Sequence, residues 1–314
     1  MPCYHPIAGS FKSGKFVPTG GHSGDVAKGS VAFGTPMSVP CGRCIGCRLE
    51  HSRQWAVRMM HEAQMHDENC FLTLTYNNDH VPENYGLDKT AFPLFMKRLR
   101  KSISPRKVSY FMCGEYGEER KRPHYHAAIF GMDWHEDRVE ARVSKNGYPL
   151  LISPRLQSTW GMGEVTIGEL TFESAAYMAR YMVKKVTGDA AAAHYERVDA
   201  ETGEIYAVEP EFATMSRNPA IGRRWIEKFH GDVYPHDEVI VNGVPAKPPR
   251  YYDKVFDAIA PDKAEALRRR RMSNVDYADN TPPRLSVREV CAEASNSLKS
   301  RGDVGDETVS VHRA

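Results

Sequence analysis

Two apolar segments joined by a short charged turn constrain the fold of this chain most strongly. The segments VSYFMCGE (108–115) and HYHAAIFGM (124–132) have the composition of strands, and the connection between them, YGEERKRP, is short and polar. Strands connected in this way pair as an antiparallel hairpin. The chain is therefore predicted to contain an antiparallel sheet that includes this hairpin.

The second strand of the hairpin carries two histidines that are one residue apart. Side chains alternate between the faces of a strand, so His124 and His126 share one face with Ala128. Glu115 ends the preceding strand and lies across the turn from them. Two imidazoles and one carboxylate, with open positions for water and phosphate oxygens, suit Mg²⁺ or Mn²⁺ and a phosphodiester substrate. Hydrogen-bonded surface or core histidines are the alternative, which this pattern leaves open.

The remaining patterns surround the hairpin with helices and further strands. Helices are predicted near 45–66, 90–103 and 171–186, and strands near 71–77 and 163–170. The order strand, helix, three strands, helix predicts an α+β fold in which helices pack on a central antiparallel sheet. A hairpin insertion near Thr202-Gly203 and a basic helix within 215–230 follow. From about Ser273 the chain is polar, which we interpret as a mobile tail.

These patterns suggest three regions along the chain. Residues 1–66 form a cysteine-rich segment and a basic helix, and residues 67–235 form the core, with an insertion near 190–212. Residues 236–314 form a C-terminal extension that we expect to be partly disordered.

Charge and hydropathy limit the classes of function. The net charge of +2 is too small to indicate a nucleic-acid partner, but basic residues are unevenly distributed. Arg120-Lys121-Arg122 directly precedes the histidines, and residues 91–110 contain six basic residues and no acidic one. No run is apolar enough for a membrane span or a signal peptide, so we expect an intracellular protein. The sequence also lacks a phosphate loop and a dinucleotide-binding fingerprint.

The helix predicted over 171–186 places two phenols and an ammonium group on one face. Tyr177, Tyr181 and Lys184 follow offsets of four and three residues, and Lys185 is the alternative lysine. A tyrosine pair at this spacing is often core packing, but a buried stripe would not normally continue into two lysines. A phenol has a pKa near ~10, so at neutral pH it needs a nearby cation or metal to act as a nucleophile.

In order along the chain, FLTLTY, then Glu115 with His124-Tyr125-His126, then YMARYMVK resemble the three motifs of the HUH replication initiators of the two-tyrosine class. MPCYHPI, VPCGRCIGCR and MSRNPAIGRRW also resemble segments of the replication initiation proteins of gokushovirus-like, single-stranded DNA phages of the microvirus family. The resemblance covers about residues 1–230.

The resemblance implies an HUH-like endonuclease fold and a mechanism. His124, His126 and Glu115 would hold Mg²⁺ or Mn²⁺, and one tyrosine would attack a phosphate of origin DNA, leaving a free 3′-OH and a 5′-phosphotyrosine link. The 3′-OH would prime rolling-circle synthesis, and the second tyrosine would cut the regenerated origin. Lys184 would stabilise the phenolate or the transition-state phosphate. The expected partners are single-stranded origin DNA and a host helicase and polymerase in the bacterial cytoplasm.

The cysteines near the start of the chain predict a second metal site. Cys41, Cys44 and Cys47 follow CxxCxxC spacing, and Cys3 is the natural fourth ligand, with His5 as an alternative. We expect a structural zinc ion, with ordinary reduced cysteines or an iron–sulfur cluster as alternatives.

Two other functions stay open from the sequence. An HUH relaxase or transposase would use the same chemistry for DNA mobilisation. A non-catalytic, zinc-stabilised DNA-binding protein would bind the origin without forming a covalent adduct, because its histidine and tyrosine pairs would only pack.

Overall fold

The computed structural model describes residues 3–12, 15–22, 36–117, 120–143, 147–180, 186, 190–198, 202–274 and 278–303. The chain divides into two compact units. The terminal unit comprises Met1–Ser52 and Glu265–Val304, and the sheet unit contains Arg53–Ala264. The region boundaries predicted near residues 66 and 235 stay predictions.

The part of the chain that the structure describes contains both helices and strands. The helices are α1 Ile45–Ala63, α2 Ala91–Ser102, α3 Pro154–Trp160, α4 Phe172–Ala179, α5 Ala190–Tyr195, α6 Arg223–Val233, α7 Arg250–Ile259, α8 Pro261–Ser273 and α9 Pro282–Asp303. The strands are β1 Ile7–Lys12, β2 Lys15–His22, β3 Pro36–Val39, β4 Asn69–Thr75, β5 Ser109–Tyr116, β6 Pro123–Phe130, β7 Val139–Val143, β8 Pro149–Ile152, β9 Val165–Gly168, β10 Glu196–Val198, β11 Ile205–Ala207, β12 Phe212–Met215, β13 Val239–Val241 and β14 Val244–Ala246. None of these helices has the length and apolar character needed to cross a lipid bilayer.

An antiparallel sheet of seven strands forms the centre of the sheet unit, in the order β12-β5-β6-β4-β9-β8-β7. The predicted α+β fold class and the predicted β5–β6 hairpin are therefore confirmed. In the terminal unit, β2, β1 and β3 form a separate antiparallel sheet in that order. The insertion contains the small hairpin β10–β11, as predicted around Thr202-Gly203.

The large sheet buries a different set of side chains on each face. One face packs against α2 and α3 and includes Met112 and Tyr125. The other face packs against α1 and α4, and includes Phe111 and Ala128. Because side chains alternate along a strand, the residues of β6 that share a face with Ala128 include His124 and His126. The two histidines thus lie on the face that α1 and α4 cover.

Local sequence explains why α4 begins where it does. The Thr171 hydroxyl accepts a hydrogen bond from the Ser174 amide, and the Ser174 side chain accepts one from the Thr171 amide. This reciprocal capping box satisfies two amides that a helix start would otherwise leave unbonded. The helix predicted over 171–186 is thus confirmed from Phe172 to Ala179, and residues 181–185 lie outside the described residues.

The C-terminal region differs from the mobile tail predicted from about Ser273. Residues 282–303 form α9, whose sequence is mostly polar and lacks a continuous apolar stripe. Leu285 is buried in this helix, whereas Val287 and Val290 are exposed. Among the residues of this helix with described burial, only Leu285 is buried, and such a polar segment carries no helical hydrophobic pattern, so periodicity does not predict this helix.

The segment that contains MSRNPAIGRRW docks onto α1. The Arg58 guanidinium donates two hydrogen bonds to the Ile221 carbonyl, and the Glu62 carboxylate accepts one from the Gly222 amide at 2.7 Å. Gly222 has a φ of +76°, and a Cβ atom there would come within 2.6 Å of the Tyr252 hydroxyl. This position therefore requires glycine, and the motif has a packing role in the structure.

His61 on α1 packs against Trp225, the last residue of this motif, and the pH dependence of stability tests this packing. Its ring stacks on Trp225 and its Nδ1 lies 2.9 Å from the Tyr252 hydroxyl, while burial lowers the pKa of His61 to about 4. The unfolded chain binds this proton near pH 6.5, so stability is complete above that pH and falls as pH drops toward 4. Between pH 7 and 4.5 the loss should be roughly 2–3 kcal/mol of unfolding free energy.

Urea unfolding followed by tryptophan fluorescence at both pH values would measure this loss. His61→Phe should show a smaller loss between the two pH values, because every other titrating group is common to both proteins. An identical pH dependence in the two proteins would contradict the prediction.

Candidate active site

The β5–β6 hairpin brings the predicted ligands together. Glu115 on β5 lies directly opposite His124 on β6, and Cys113 lies opposite His126. One ligand atom from each of Glu115, His124 and His126 lies within 4.8 Å of the others. The centroids of the two imidazole rings are 4.8 Å apart. Three donors at this separation can converge on one divalent cation.

Hydrogen bonds to Nδ1 orient both imidazole rings. His124 Nδ1 lies 3.3 Å from the Arg122 carbonyl, which can only accept, so Nδ1 is the donor and Nε2 is the nitrogen that would be offered to a metal. His126 Nδ1 lies 3.1 Å from the Thr73 hydroxyl on β4. Protonation of His126 on Nδ1 would likewise leave a lone pair on Nε2. Metal-binding histidines are typically oriented by a partner of this kind.

The carboxylate of Glu115 is almost completely buried, with 1% of the residue exposed. The Cys113 thiol donates a hydrogen bond to its Oε1 at 3.3 Å. A buried carboxylate is costly unless hydrogen bonds and a positive charge compensate for lost hydration. A divalent cation between Glu115 and the histidines would supply that charge, so the donor set fits a metal on both chemical and energetic grounds.

The helix α4 places Tyr177 in contact with one of the two histidines. The Tyr177 ring on α4 meets the His126 ring edge to face, with centroids 5.2 Å apart and planes at 86°. The Arg180 guanidinium carbon lies 5.2 Å from the centroid of the Tyr177 ring. A cation beside a phenol favours the charged phenolate. Tyr181, Lys184 and Lys185 lie outside the described residues.

The two basic clusters noted in the sequence have different positions relative to the histidines. The cluster within 91–110 lies mainly on α2, which covers the opposite face of the sheet, and Arg98 on that helix donates to the Thr159 and Trp160 carbonyls. That cluster does not flank the histidines. Arg122 directly precedes β6 and donates to the Tyr76 carbonyl, and the neighbouring Arg120 and Lys121 are exposed.

Three residues that contact this site were not identified as site residues from the sequence. They are Thr73, which contacts His126, Cys113, which contacts Glu115, and Arg180, which lies over Tyr177. The period of two in FLTLTY places Thr73 on one face of its strand, but only the observed pairing of β4 with β6 shows that this is the histidine face. Arg180 follows Tyr177 by three residues, a spacing that places two side chains beside each other on a helix. The contact between Arg180 and Tyr177 could therefore have been predicted from the sequence.

Two other groups of metal-ligating side chains are present among the described residues. Cys3, Cys41, Cys44 and Cys47 place their sulfur atoms within 4.8 Å of one another. His5, the alternative ligand, instead pairs with Glu289 at 2.7 Å. The other group comprises Glu68, Asp133 and His135. Its two carboxylates are paired with Arg106 and Arg138, so their charge is already compensated.

The fold and site define a class of α+β protein in which a hairpin carries a glutamate and two histidines that could hold a metal, with a tyrosine beside them. Residues 69–186, which include every element of this site, match the family described as replication-associated protein ORF2/G2P. No solved structure matches the chain significantly.

Relatives from phages match across most of the chain. Replication-associated protein VP4 of Bdellovibrio phage phiMH2K is 32% identical over 274 residues, which cover 84% of this chain and 79% of the relative. Replication-associated protein ORF2 of Spiroplasma virus 4 is 32% identical over 270 residues, which cover 81% and 80%. Replication-associated protein ORF4 of Chlamydia phage 1 is 29% identical over 78% of this chain and 61% of the relative.

The chain belongs to the family of phage replication-associated proteins. The predicted relationship to replication proteins of gokushovirus-like phages is thereby confirmed.

Proposed function

We propose that this protein nicks single-stranded origin DNA through a tyrosine and later rejoins the ends, as an HUH-type initiator of rolling-circle replication. The observation that carries the proposal is the position of the Tyr177 ring, 5.2 Å from the His126 ring in the group formed by Glu115, His124 and His126. The proposed nucleophile on α4 and the proposed metal ligands on the sheet thus lie on the same side of the sheet. Family membership favours replication over the mobilisation function of a relaxase or transposase.

Each residue has a defined part in this proposal. Glu115, His124 and His126 would hold Mg²⁺ or Mn²⁺, which supplies polarisation of the scissile phosphate. The phenol oxygen of Tyr177 or Tyr181 forms a bond to phosphorus, while the bond from phosphorus to the 3′ oxygen breaks. The phenol releases its proton to solvent and the leaving 3′ oxygen takes one up from solvent, which gives the free 3′-OH. Arg180 favours the phenolate through its charge. The other tyrosine of the pair supplies the nucleophile for the second cut, and Lys184 stabilises the phenolate or phosphate charge.

The product chemistry fits a replication cycle. Each phosphotyrosine link preserves one phosphodiester bond, so rejoining requires no nucleotide hydrolysis and agrees with the lack of a phosphate loop in the sequence. The free 3′-OH would be extended by a host polymerase behind a host helicase in the bacterial cytoplasm. The exposed Arg120 and Lys121 beside the histidine strand would contact the DNA backbone.

A covalent-adduct assay tests the proposal directly. Labelled single-stranded oligonucleotides, tiled across the phage genome, would be incubated with the full chain and Mn²⁺ and then denatured. We expect one oligonucleotide to give a labelled protein band that withstands denaturation and disappears with excess EDTA. Tight binding without an adduct on any oligonucleotide would instead support the non-catalytic DNA-binding protein.

Thr73 should act as a positioning residue for His126. Because Thr73→Val removes the hydroxyl beside His126 Nδ1 but keeps the side-chain shape, we expect cleavage at low Mn²⁺ to fall by about 10- to 100-fold. The Mn²⁺ concentration that gives half-maximal cleavage should rise, and excess Mn²⁺ should recover part of the rate.

Two variants control for the Thr73 substitution. Thr73→Ser keeps a hydroxyl and should retain most activity. Thr75→Val removes a hydroxyl on the same strand that donates to the Glu164 carbonyl, so it should leave the Mn²⁺ dependence unchanged. Equal Mn²⁺ requirements in Thr73→Val and the original protein would show that Thr73 does not orient the ligand.

A further inference from the structure

The four clustered cysteines take no part in the proposed nicking chemistry and all belong to the terminal unit. Cys3 lies ahead of β1, and Cys41 follows β3. Cys44 directly precedes α1, and Cys47 lies in its first turn. The cluster therefore joins the start of the chain to residues 41–47, two stretches that are far apart in sequence.

The sulfur atoms are arranged around a common point. All four lie within 4.8 Å of one another, and the Cys41 and Cys47 sulfurs are 4.0 Å apart. Two thiolates that each bind a tetrahedral zinc ion at ~2.3 Å are about 3.8 Å apart. All four cysteines are free thiols in the structure. Convergence of four sulfurs suits a shared metal, because disulfides would join them in separate pairs.

Backbone amides surround the sulfurs as donors. The Tyr4 amide donates to Cys44 Sγ at 3.4 Å, and the Cys41 amide donates to Cys3 Sγ at 3.3 Å. The amides of Arg43 and Cys44 both donate to Cys41 Sγ, at 3.4 and 3.3 Å. Hydrogen bonds to sulfur stabilise negative charge on a thiolate, the form in which cysteine binds metal.

The described residues of the terminal unit include few buried apolar side chains. Among its residues with described burial, the buried apolar side chains are Cys3, Ala8, Cys44, Leu267 and Leu285. Two of these five are members of the cysteine cluster. A unit with so small a core usually requires a disulfide or a metal ion for stability.

We propose that Cys3, Cys41, Cys44 and Cys47 bind one structural Zn²⁺ that stabilises the terminal unit. Four thiolates complete the tetrahedral shell of zinc, so no position is left for water or substrate and the site is structural rather than catalytic. Soft sulfur donors also distinguish this site from the histidine–carboxylate group, which suits harder divalent cations. The inference goes beyond the proposed nicking function and does not depend on it.

Metal analysis of the full chain tests the proposal. Protein purified under reducing conditions should contain about one zinc per chain, and strong chelators should lower its melting temperature. Ser substitutions at Cys3, Cys41, Cys44 or Cys47 should each remove most of the zinc and lower the melting temperature in the same way. Cys291→Ser is the matched control, because this exposed cysteine lies in the same unit but outside the cluster, and it should change neither property.

Cobalt substitution reports ligand identity without relying on stability. The Co²⁺ form should show the intense sulfur-to-cobalt charge-transfer bands of a four-thiolate site, and each Ser variant that still folds should weaken them. A His124→Ala/His126→Ala variant should keep the full zinc content, which separates this proposal from the nicking proposal.

Three results would overturn the zinc proposal. They are a metal-free chain whose melting is unchanged in the Ser variants, an iron–sulfur chromophore that is lost in those variants, and two disulfides among these four cysteines in the active protein.

Discussion

Replacing both His124 and His126 with alanine should abolish divalent-dependent cleavage of origin DNA, with a rate loss of at least about 1,000-fold. Both rings lie on one sheet face with Glu115, so the double substitution leaves one carboxylate to hold the metal. Single-turnover cleavage with excess protein would measure the loss, because it isolates the chemical step from product release.

DNA affinity should survive this substitution. Binding of a nucleic acid comes largely from contacts with phosphate groups, and the salt dependence of binding should therefore stay close to that of the original protein. His135→Ala provides a matched control, since this exposed histidine lies in the acidic group that is already paired with arginines. Full cleavage by the His124→Ala/His126→Ala variant, with unchanged Mn²⁺ dependence, would show that the pair is not the metal site.

The hairpin that carries this site was predictable because its determinants are local. A short polar turn and a period of two together predict that Glu115 and the two histidines meet on one face. The observed register, with Glu115 opposite His124, agrees with that prediction. Ala128 and Phe130 lie on the same face of β6 as the histidines and are buried in the core. Their burial also fixes which face of this strand is turned toward the helices.

The contacts that orient the proposed metal ligands were harder to predict from the sequence. Thr73 reaches His126 through the pairing of β4 with β6, strands that are 53 residues apart at this contact. Alternation identifies a strand and its two faces, but it does not select which strands become neighbours. The edge strand β7 was not predictable for another reason, because its exposed Val139 and Val143 leave no alternation with a buried face.

The tyrosine pair should separate a two-tyrosine initiator from a one-tyrosine nickase. In the helix predicted over 171–186, Tyr177 and Tyr181 would be about 6 Å apart along the axis, so either phenol could reach the same phosphate after a small shift of DNA or helix. We expect Tyr177→Phe and Tyr181→Phe each to retain single-site cleavage but to fail to release a closed circle. The double variant should form no covalent adduct, a loss of all measurable product.

Phenylalanine keeps the ring and removes only the hydroxyl, so the edge-to-face contact between residue 177 and His126 should persist in Tyr177→Phe. Loss of the adduct would then be chemical rather than structural, and an unchanged melting temperature and DNA affinity would confirm this.

Tyr195→Phe serves as a control for phenol removal, because the Tyr195 hydroxyl donates to Glu211 and accepts from the Val186 amide. It should lower stability while leaving adduct formation in the folded fraction. If one single variant released circles at the normal rate, the tyrosine replaced in it would be a packing residue and not a nucleophile. A covalent adduct in the double variant would show that the nucleophile lies elsewhere in the chain.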